Sequence, residues 1–277
     1  MKKPNEIRRE QVQKHIDIMN LKYPIEIAYS IQYGHWVHSN QLDPLDANIG
    51  ISTKCEDDIR PISILKGKSN TIELMATTTD KAIFDCKQKN NTDVCILDFA
   101  SYRKPGGGYL EGARAQEEAL CEVSTLYNVL SNDAVRPIYE LQKKKLNHML
   151  YLNSAICLPD IVFESSKERA FADVIVCAAP NVGVSTPEQP LQVCQDVMEE
   201  RINFVLKVAS NFMAETGSTT LILGAFGCGV FRNDPEFVAK SFKKALDGEY
   251  KGVFPRVVFA VPDETSVNYK AFEKVFK

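Results

Sequence analysis

A three-layer α/β/α sandwich is the fold class that this sequence predicts, and three observations predict it. Strand-like and helix-like segments alternate from about residue 70 onwards. The strand-like runs VCIL, VIVCAA, LILGA and VVFAV are apolar at successive positions, so the sheet they form must be covered on both faces. A triple glycine, Gly106 to Gly108, lies between one such strand and a helical run, where open α/β folds take ligands.

The elements follow in order. Residues 4–20 predict an amphipathic helix, because Ile7, Val12, Ile16 and Met19 recur near helical spacing. Residues 21–68 scatter polar and turn residues and predict an irregular stretch. Together they form an N-terminal helical extension, 1–68, packed on a main domain at 69–277, with Trp36 as an anchor. TIELMAT (71–77) reads as a strand and TTDKAIFDCKQK (78–89) as a helix. DVCILDFA (93–100) is a second strand, followed by the glycine loop and a helix over 116–130. HMLYLNSAIC (148–157) and FADVIVCAA (171–179) are apolar enough for buried strands. A long periodic run at 187–216 predicts a helix. TTLILGAF (219–226), a helix at 234–248, the strand PRVVFAV (255–261) and a closing helix complete a mixed central sheet.

Composition narrows the function. Of the 277 residues, 44% are hydrophobic and 25% charged, an ordinary globular balance. A net charge of −3 argues against direct binding of duplex nucleic acid, which needs a basic face. The eight cysteines form no C-x-x-C pair, and several lie in apolar runs. They read as reduced thiols in an intracellular protein, cytoplasmic or, in a eukaryote, nuclear. MKKPNEIRREQVQKHIDIM has no continuous apolar segment of a signal peptide, and no apolar run approaches the ~18 residues of a membrane helix. The four histidines give no zinc-like set, so neither metal nor cofactor is expected.

The stretch PGGGYLEGARAQEEALCEVSTLY holds the chemistry. Seven residues separate Gly106–Gly108 from Gln116, Glu117 and Glu118. Glycine admits positive φ and lets a ligand approach the backbone amides, while a helix start at Gln116 adds unpaired N–H groups. A tight turn before a solvated helix start would use the same residues, although three ordered glycines are costly for a plain connection. Neither a phosphate-binding G-x-x-x-x-G-K-[ST] nor a dinucleotide G-x-G-x-x-G is present here.

LGAFGCGVFRNDP (223–235) is a second glycine-rich loop leading to a helix, capped by Asn233 or Asp234. It suits a diphosphate, with Phe226 and Phe231 placed to stack on a base. Core phenylalanines and turn glycines are the plainer reading. Two such loops in one sheet favour a ligand with a diphosphate and two riboses.

These residues resemble the poly(ADP-ribose) glycohydrolase family. The GGG–seven residues–QEE pattern looks like that family's signature, the wider string looks like its microbial-type branch, and GAFGCGVFRNDP is similar to its diphosphate loop. The likeness spans roughly residues 70–277. It implies a macrodomain-like fold and hydrolysis of the ribose–ribose O-glycosidic bond in poly(ADP-ribose), releasing ADP-ribose. It further implies Glu118 as catalytic acid/base and Glu117 as holder of ribose hydroxyls. Gly106, Gly107, Gly108, Gln116 and Ser101 would lie along the ribose. Gly227, Cys228, Gly229 and Val230 would wrap the diphosphate, and Phe226 and Phe231 would flank the base. Some members carry Asn where DFAS has Ser101. The substrate would be poly(ADP-ribose) or ADP-ribosylated protein.

Such a bond breaks through an oxocarbenium-like state that needs a proton donor. Adjacent helical residues point about 100° apart, which gives Glu117 and Glu118 separate tasks. No second carboxylate at glycosidase spacing is evident, so the substrate's own diphosphate is expected to stabilise the ribose cation. Alternatives are a hydrolase of single ADP-ribose units, a non-catalytic reader, and an enzyme acting on free ADP-ribose derivatives. Cys121 and Cys228, near the motifs, are candidates for reactive thiols. Tyr109–Leu110–Glu111 is a candidate cover for the ribose.

Overall fold

Side chains of one strand divide between two cores in the computed structural model, which describes residues 4–62, 71–90, 93–185 and 189–277. The strand is β4 (Val94–Phe99). Val94 and Ile96 face one core with Val174, Val176, Ile222 and Val258. Cys95 and Leu97 face the other with Ile175, Cys177, Leu221 and Phe259. Period-2 alternation with apolar residues at both phases thus gives a sheet covered on both sides.

In chain order the strands are β1 (His35–His38), β2 (Ser52–Cys55), β3 (Thr71–Met75), β4, β5 (Ser154–Glu164), β6 (Arg169–Cys177), β7 (Thr220–Leu223) and β8 (Arg256–Ala260). They form one mixed sheet, ordered β2-β1-β5-β6-β4-β7-β8-β3. Only β5 opposes both its neighbours, β1 and β6; the other pairs are parallel. The helices are α1 (Pro4–Lys22), α2 (Pro24–Tyr33), α3 (Thr79–Asn90), α4 (Gln116–Glu122), α5 (Leu126–Leu130), α6 (Arg136–Lys143), α7 (Val182–Ser185), α8 (Leu191–Thr216), α9 (Pro235–Asp247) and α10 (Val267–Phe276). Residues of α1 to α6 fill the first core, and residues of α8, α9 and α10 fill the second. The three-layer sandwich is therefore present.

Several local expectations change, and others fall outside the described residues. Residues 21–62 are not irregular: they contain α2, β1 and β2. All four positions of β1, HWVH, are buried, so its two histidines hide a strand that has no polar face. The boundary placed at 68/69 lies outside the described residues, as do the first residues of the helix expected from 187; α8 begins after Pro190. The helix expected over 116–130 breaks at Val123–Thr125. There Ser124 turns its hydroxyl back onto the Leu120 carbonyl (2.7 Å) and accepts the Leu126 N–H (3.1 Å), replacing helical bonds with side-chain ones. The strand expected from 148 starts at Ser154, because Asn147, His148, Met149 and Tyr151 take positive φ and coil the chain instead.

Among the described residues no helix is long and apolar enough to cross a membrane.

Candidate active site

Gln116 starts the site by fastening α4 to β4. Its Oε1 accepts the Phe99 N–H (2.8 Å), and its Nε2 donates to the Leu97 carbonyl (2.9 Å) and the Thr79 hydroxyl (3.2 Å). Expected against substrate, this side chain instead uses its amide on the scaffold. The helix it begins is seven residues long, too short for much macrodipole.

The two acids that follow are both buried, Glu117 at 3% and Glu118 at 7% exposure. Glu117 Oε2 accepts the Ser101 N–H at 2.7 Å. Burial pushes its carboxyl well above the usual range; the charge of Asp98 adds to this, and the Ser101 amide opposes it. Glu118 Oε1 accepts the Gly108 N–H (2.7 Å) and Oε2 accepts the Ala115 N–H (2.9 Å). The second bond is the glutamate half of a capping box. Residues 108–115 thus form a turn whose two ends both rest on one carboxylate.

The glycines pack closely on these acids and on their neighbours. Gly106 and Gly107 have φ of 64° and 58°. A Cβ on Gly107 would lie 2.5 Å from Glu118 Oε1 and 2.7 Å from Glu117 Oε2. Although adjacent on α4, the two carboxylates therefore converge on one backbone position. A Cβ on Gly106 would meet the Tyr127 ring at 2.7 Å, and one on Gly108 the Ala113 methyl at 2.7 Å. The triple glycine lets the loop close down on the acids and on the helix behind them.

Ser101 contributes its N–H to Glu117, while its hydroxyl accepts from Arg103 N (3.3 Å) and Lys104 N (3.2 Å) in its own turn. Tyr109 is buried against Tyr127 (ring centroids 5.3 Å apart), so it belongs to the core and is no cover for a ribose.

Sequence reasoning missed Asp98. It is fully buried on β4, and neither carboxylate oxygen has a hydrogen-bond partner among the described residues. Burial, then the charge of Glu118, raises its proton affinity well above normal. Glu117 and Asp98 also act on the Tyr139 hydroxyl, itself buried and unpartnered among the described residues. The signal was available: Asp98 is the one charge in the buried run VCILDF.

In the second loop Asp234 is the cap, accepting from Glu236 N (2.8 Å) and Phe237 N (2.9 Å). Asn233 instead ties the loop inward, donating to the Pro180 (2.9 Å) and Gly227 (3.0 Å) carbonyls. Gly227 has φ of 72° and no room for a Cβ, whereas Gly229 faces open space and Val230 is exposed. Phe226, expected beside a base, is fully buried with its ring 5.6 Å from that of Phe99. Phe231 is half-buried and meets Tyr151 edge-on at 6.1 Å. Tyr151 stacks on Tyr102 (4.4 Å, 10°), so an aromatic wall joins the first loop, the coiled segment at 147–151 and the second loop. Sequence reading missed Tyr102 and Tyr151 because residues 49 apart carry no mutual signal. The Cys228 thiol is pushed up to about 12 by burial, and burial likewise raises Cys121. Neither environment favours a reactive thiolate.

The family model for the microbial-type poly(ADP-ribose) glycohydrolase catalytic domain matches residues 31–164, from α2 to the end of β5. The poly(ADP-ribose) glycohydrolase of Thermomonospora curvata shares 27% identity, with a TM-score of 0.81 over 98% of this chain and all of that one. Its structure bound to the inhibitor ADP-HPD gives 26% identity and a TM-score of 0.79 over the same shares. The enzyme of Deinococcus radiodurans in complex with ADP-ribose is 31% identical, with a TM-score of 0.75 over 91% of this chain and 97% of that one. No curated protein matches the chain. Identity of 31% across almost the whole Deinococcus enzyme, together with the family model's match, leads to one conclusion: this chain belongs to the microbial-type poly(ADP-ribose) glycohydrolases.

Proposed function

We propose that the chain hydrolyses the ribose–ribose O-glycosidic bonds of poly(ADP-ribose), releasing ADP-ribose, with Glu118 as general acid and then general base. The observation that carries this reading is the carboxylate of Glu118 at the base of the glycine loop, held on both oxygens by the amides of Gly108 and Ala115. A side chain fixed in that way presents its carboxyl in one orientation, which proton transfer to a departing ribose oxygen requires. Having given its proton, the same carboxylate takes one from the attacking water.

Glu117 has a different task. Its raised proton affinity favours a neutral carboxyl beside Glu118, able both to donate to and to accept from ribose hydroxyls. Two adjacent buried carboxylates pushed apart in role by their surroundings is a recurrent arrangement in acid–base catalysis. Gly227, Cys228, Gly229 and Val230 line the diphosphate path, and Phe231 meets the base as part of the aromatic wall. The diphosphate itself, lying near the reacting ribose, offsets the positive charge that develops there.

The natural substrates would be chains of poly(ADP-ribose) carried on intracellular proteins. All eight cysteines are free thiols, in keeping with a reducing compartment.

Glu118→Gln keeps the side chain's shape, retains one amide acceptor and removes the proton donor. Release of ADP-ribose from purified polymer should fall about 10³-fold, while calorimetric binding of ADP-ribose persists. Near wild-type cleavage by this variant would refute the assignment. Running mono-ADP-ribosylated protein in parallel separates substrates: release from that substrate alone would mark a hydrolase of single units.

A further inference from the structure

We propose that Arg8, on the N-terminal helix, is a positioning residue for the acid/base carboxylate. This inference rests on the reading of Glu118 given above. The turn at 108–115 has its two ends on Glu118 and its own internal bonds: Ala113 N donates to Gly108 O at 3.0 Å and Gly112 N to Tyr109 O at 3.0 Å. Its far side is the part that these bonds leave unattached to α4. Arg8 reaches it from α1.

The guanidinium Nη2 donates to the Ala113 carbonyl at 3.4 Å and to Glu122 Oε1 at 2.8 Å. Glu122 is the last residue of α4, one helical turn beyond Glu118. One side chain therefore clamps the turn to the helix that carries the acid. The aliphatic stem contributes as well. Gly112 has φ of 80°, and a Cβ there would lie 2.6 Å from Arg8 Cδ and 3.3 Å from Cγ. The stem thus lies flat on the turn's backbone, in a space that only glycine leaves. Two further ties keep α1 in place on the chain behind α4: the His15 ring bonds the Ser124 carbonyl (3.2 Å), and Asn128 donates to the Ile16 carbonyl (2.9 Å).

The consequence is directional. Without the clamp, residues 112–113 are free to lift, and the amides of Gly108 and Ala115 move with them. Glu118 then loses its fixed orientation while the second loop, which holds the diphosphate path, is untouched. The effect belongs on turnover rather than on binding.

The test uses the full chain with Arg8→Ala and Arg8→Lys. For Arg8→Ala, kcat on poly(ADP-ribose) should fall about tenfold with KM changed less than about twofold. Backbone amides at 106–118 should exchange with deuterium faster, while those of 224–234 should not. Arg8→Lys keeps one of the two bonds and should recover part of kcat. Unchanged kcat, unchanged exchange at 106–118, or a fall in kcat matched by equal losses in melting temperature and ADP-ribose affinity would overturn the proposal. Exchange does not depend on which residue moves the proton. An active Glu118→Gln enzyme would therefore defeat the catalytic assignment and leave the exchange result to judge Arg8 as a clamp.

Discussion

Gly107 shows how much one missing methyl group decides. Its φ of 58° is strained for any side chain, and its absent Cβ would fall within 2.7 Å of the carboxylates of both Glu117 and Glu118. Gly107→Ala must push the loop off the acids. The expected result is a fall in kcat of about 100-fold, read in the polymer assay. Folding stability should drop by about 2 kcal/mol, read by urea denaturation. Gly229→Ala is the contrast: open space surrounds that position, and stability should stay within about 0.5 kcal/mol. The sequence marked both glycines alike. Which one is sterically obligatory depends on what the fold brings near it.

At the scale of elements, β1 carries the clearest pH signature. His35 is buried on this strand with its ring edge-on to Phe212 at 5.5 Å. Burial, with the nearby charge of Lys54, lowers its pKa from 6.5 to about 4, against the opposing pull of Glu215. The folded chain thus binds fewer protons than the unfolded chain between those two values. Stability is complete above pH 6.5 and is lost as pH falls towards 4, by up to about 3 kcal/mol. His35→Gln removes that titration, so its unfolding free energy should decline less than wild type between pH 7 and 4. A parallel decline in both proteins would show that His35 contributes nothing.

Elements with long, regular patterns were legible. β4, β6, α9 and α10 follow their expected spans closely, because their apolar residues repeat with one period over many positions. β1 and β2 were not, since four residues hold too little periodicity; pairing of β1 with β5, and of β2 with β1, supplies what their sequence lacks. The break after α4 has a local cause in Val123–Ser124–Thr125, yet its outcome needed Phe163, whose backbone pairs with Ser124.

Across the whole molecule, one buried cation joins parts that are far apart in sequence. Arg201 of α8 is 1% exposed. It donates to the Asn153 side chain (2.7 Å), to the Tyr151 carbonyl (3.1 Å) and to the Ala178 carbonyl. Asn153 in turn donates to Glu56 (2.8 Å) and Glu200 (3.0 Å). The coiled segment of the aromatic wall, the end of β6 and the N-terminal part of the chain are thereby fixed to one helix. Arg201→Met fills similar volume and removes the charged donor from all three acceptors. It should cost about 3 kcal/mol in unfolding free energy, measured by denaturant titration; a loss below 1 kcal/mol would mean the network is dispensable.

By itself the sequence determined the layered α/β class, the two glycine loops and the acidic pair, and with these the family. Such features are local: apolar periodicity, backbone freedom and neighbouring charges act within a few residues of one another. Only the tertiary structure decided that Gln116 serves the scaffold, that Phe226 belongs to the core, that Asp98 joins the acids, and that Arg8 reaches over the turn at 108–115. The physical reason is common to all four. A side chain's role depends on which distant groups share its surroundings, and the folded sheet, rather than spacing along the chain, sets those neighbours.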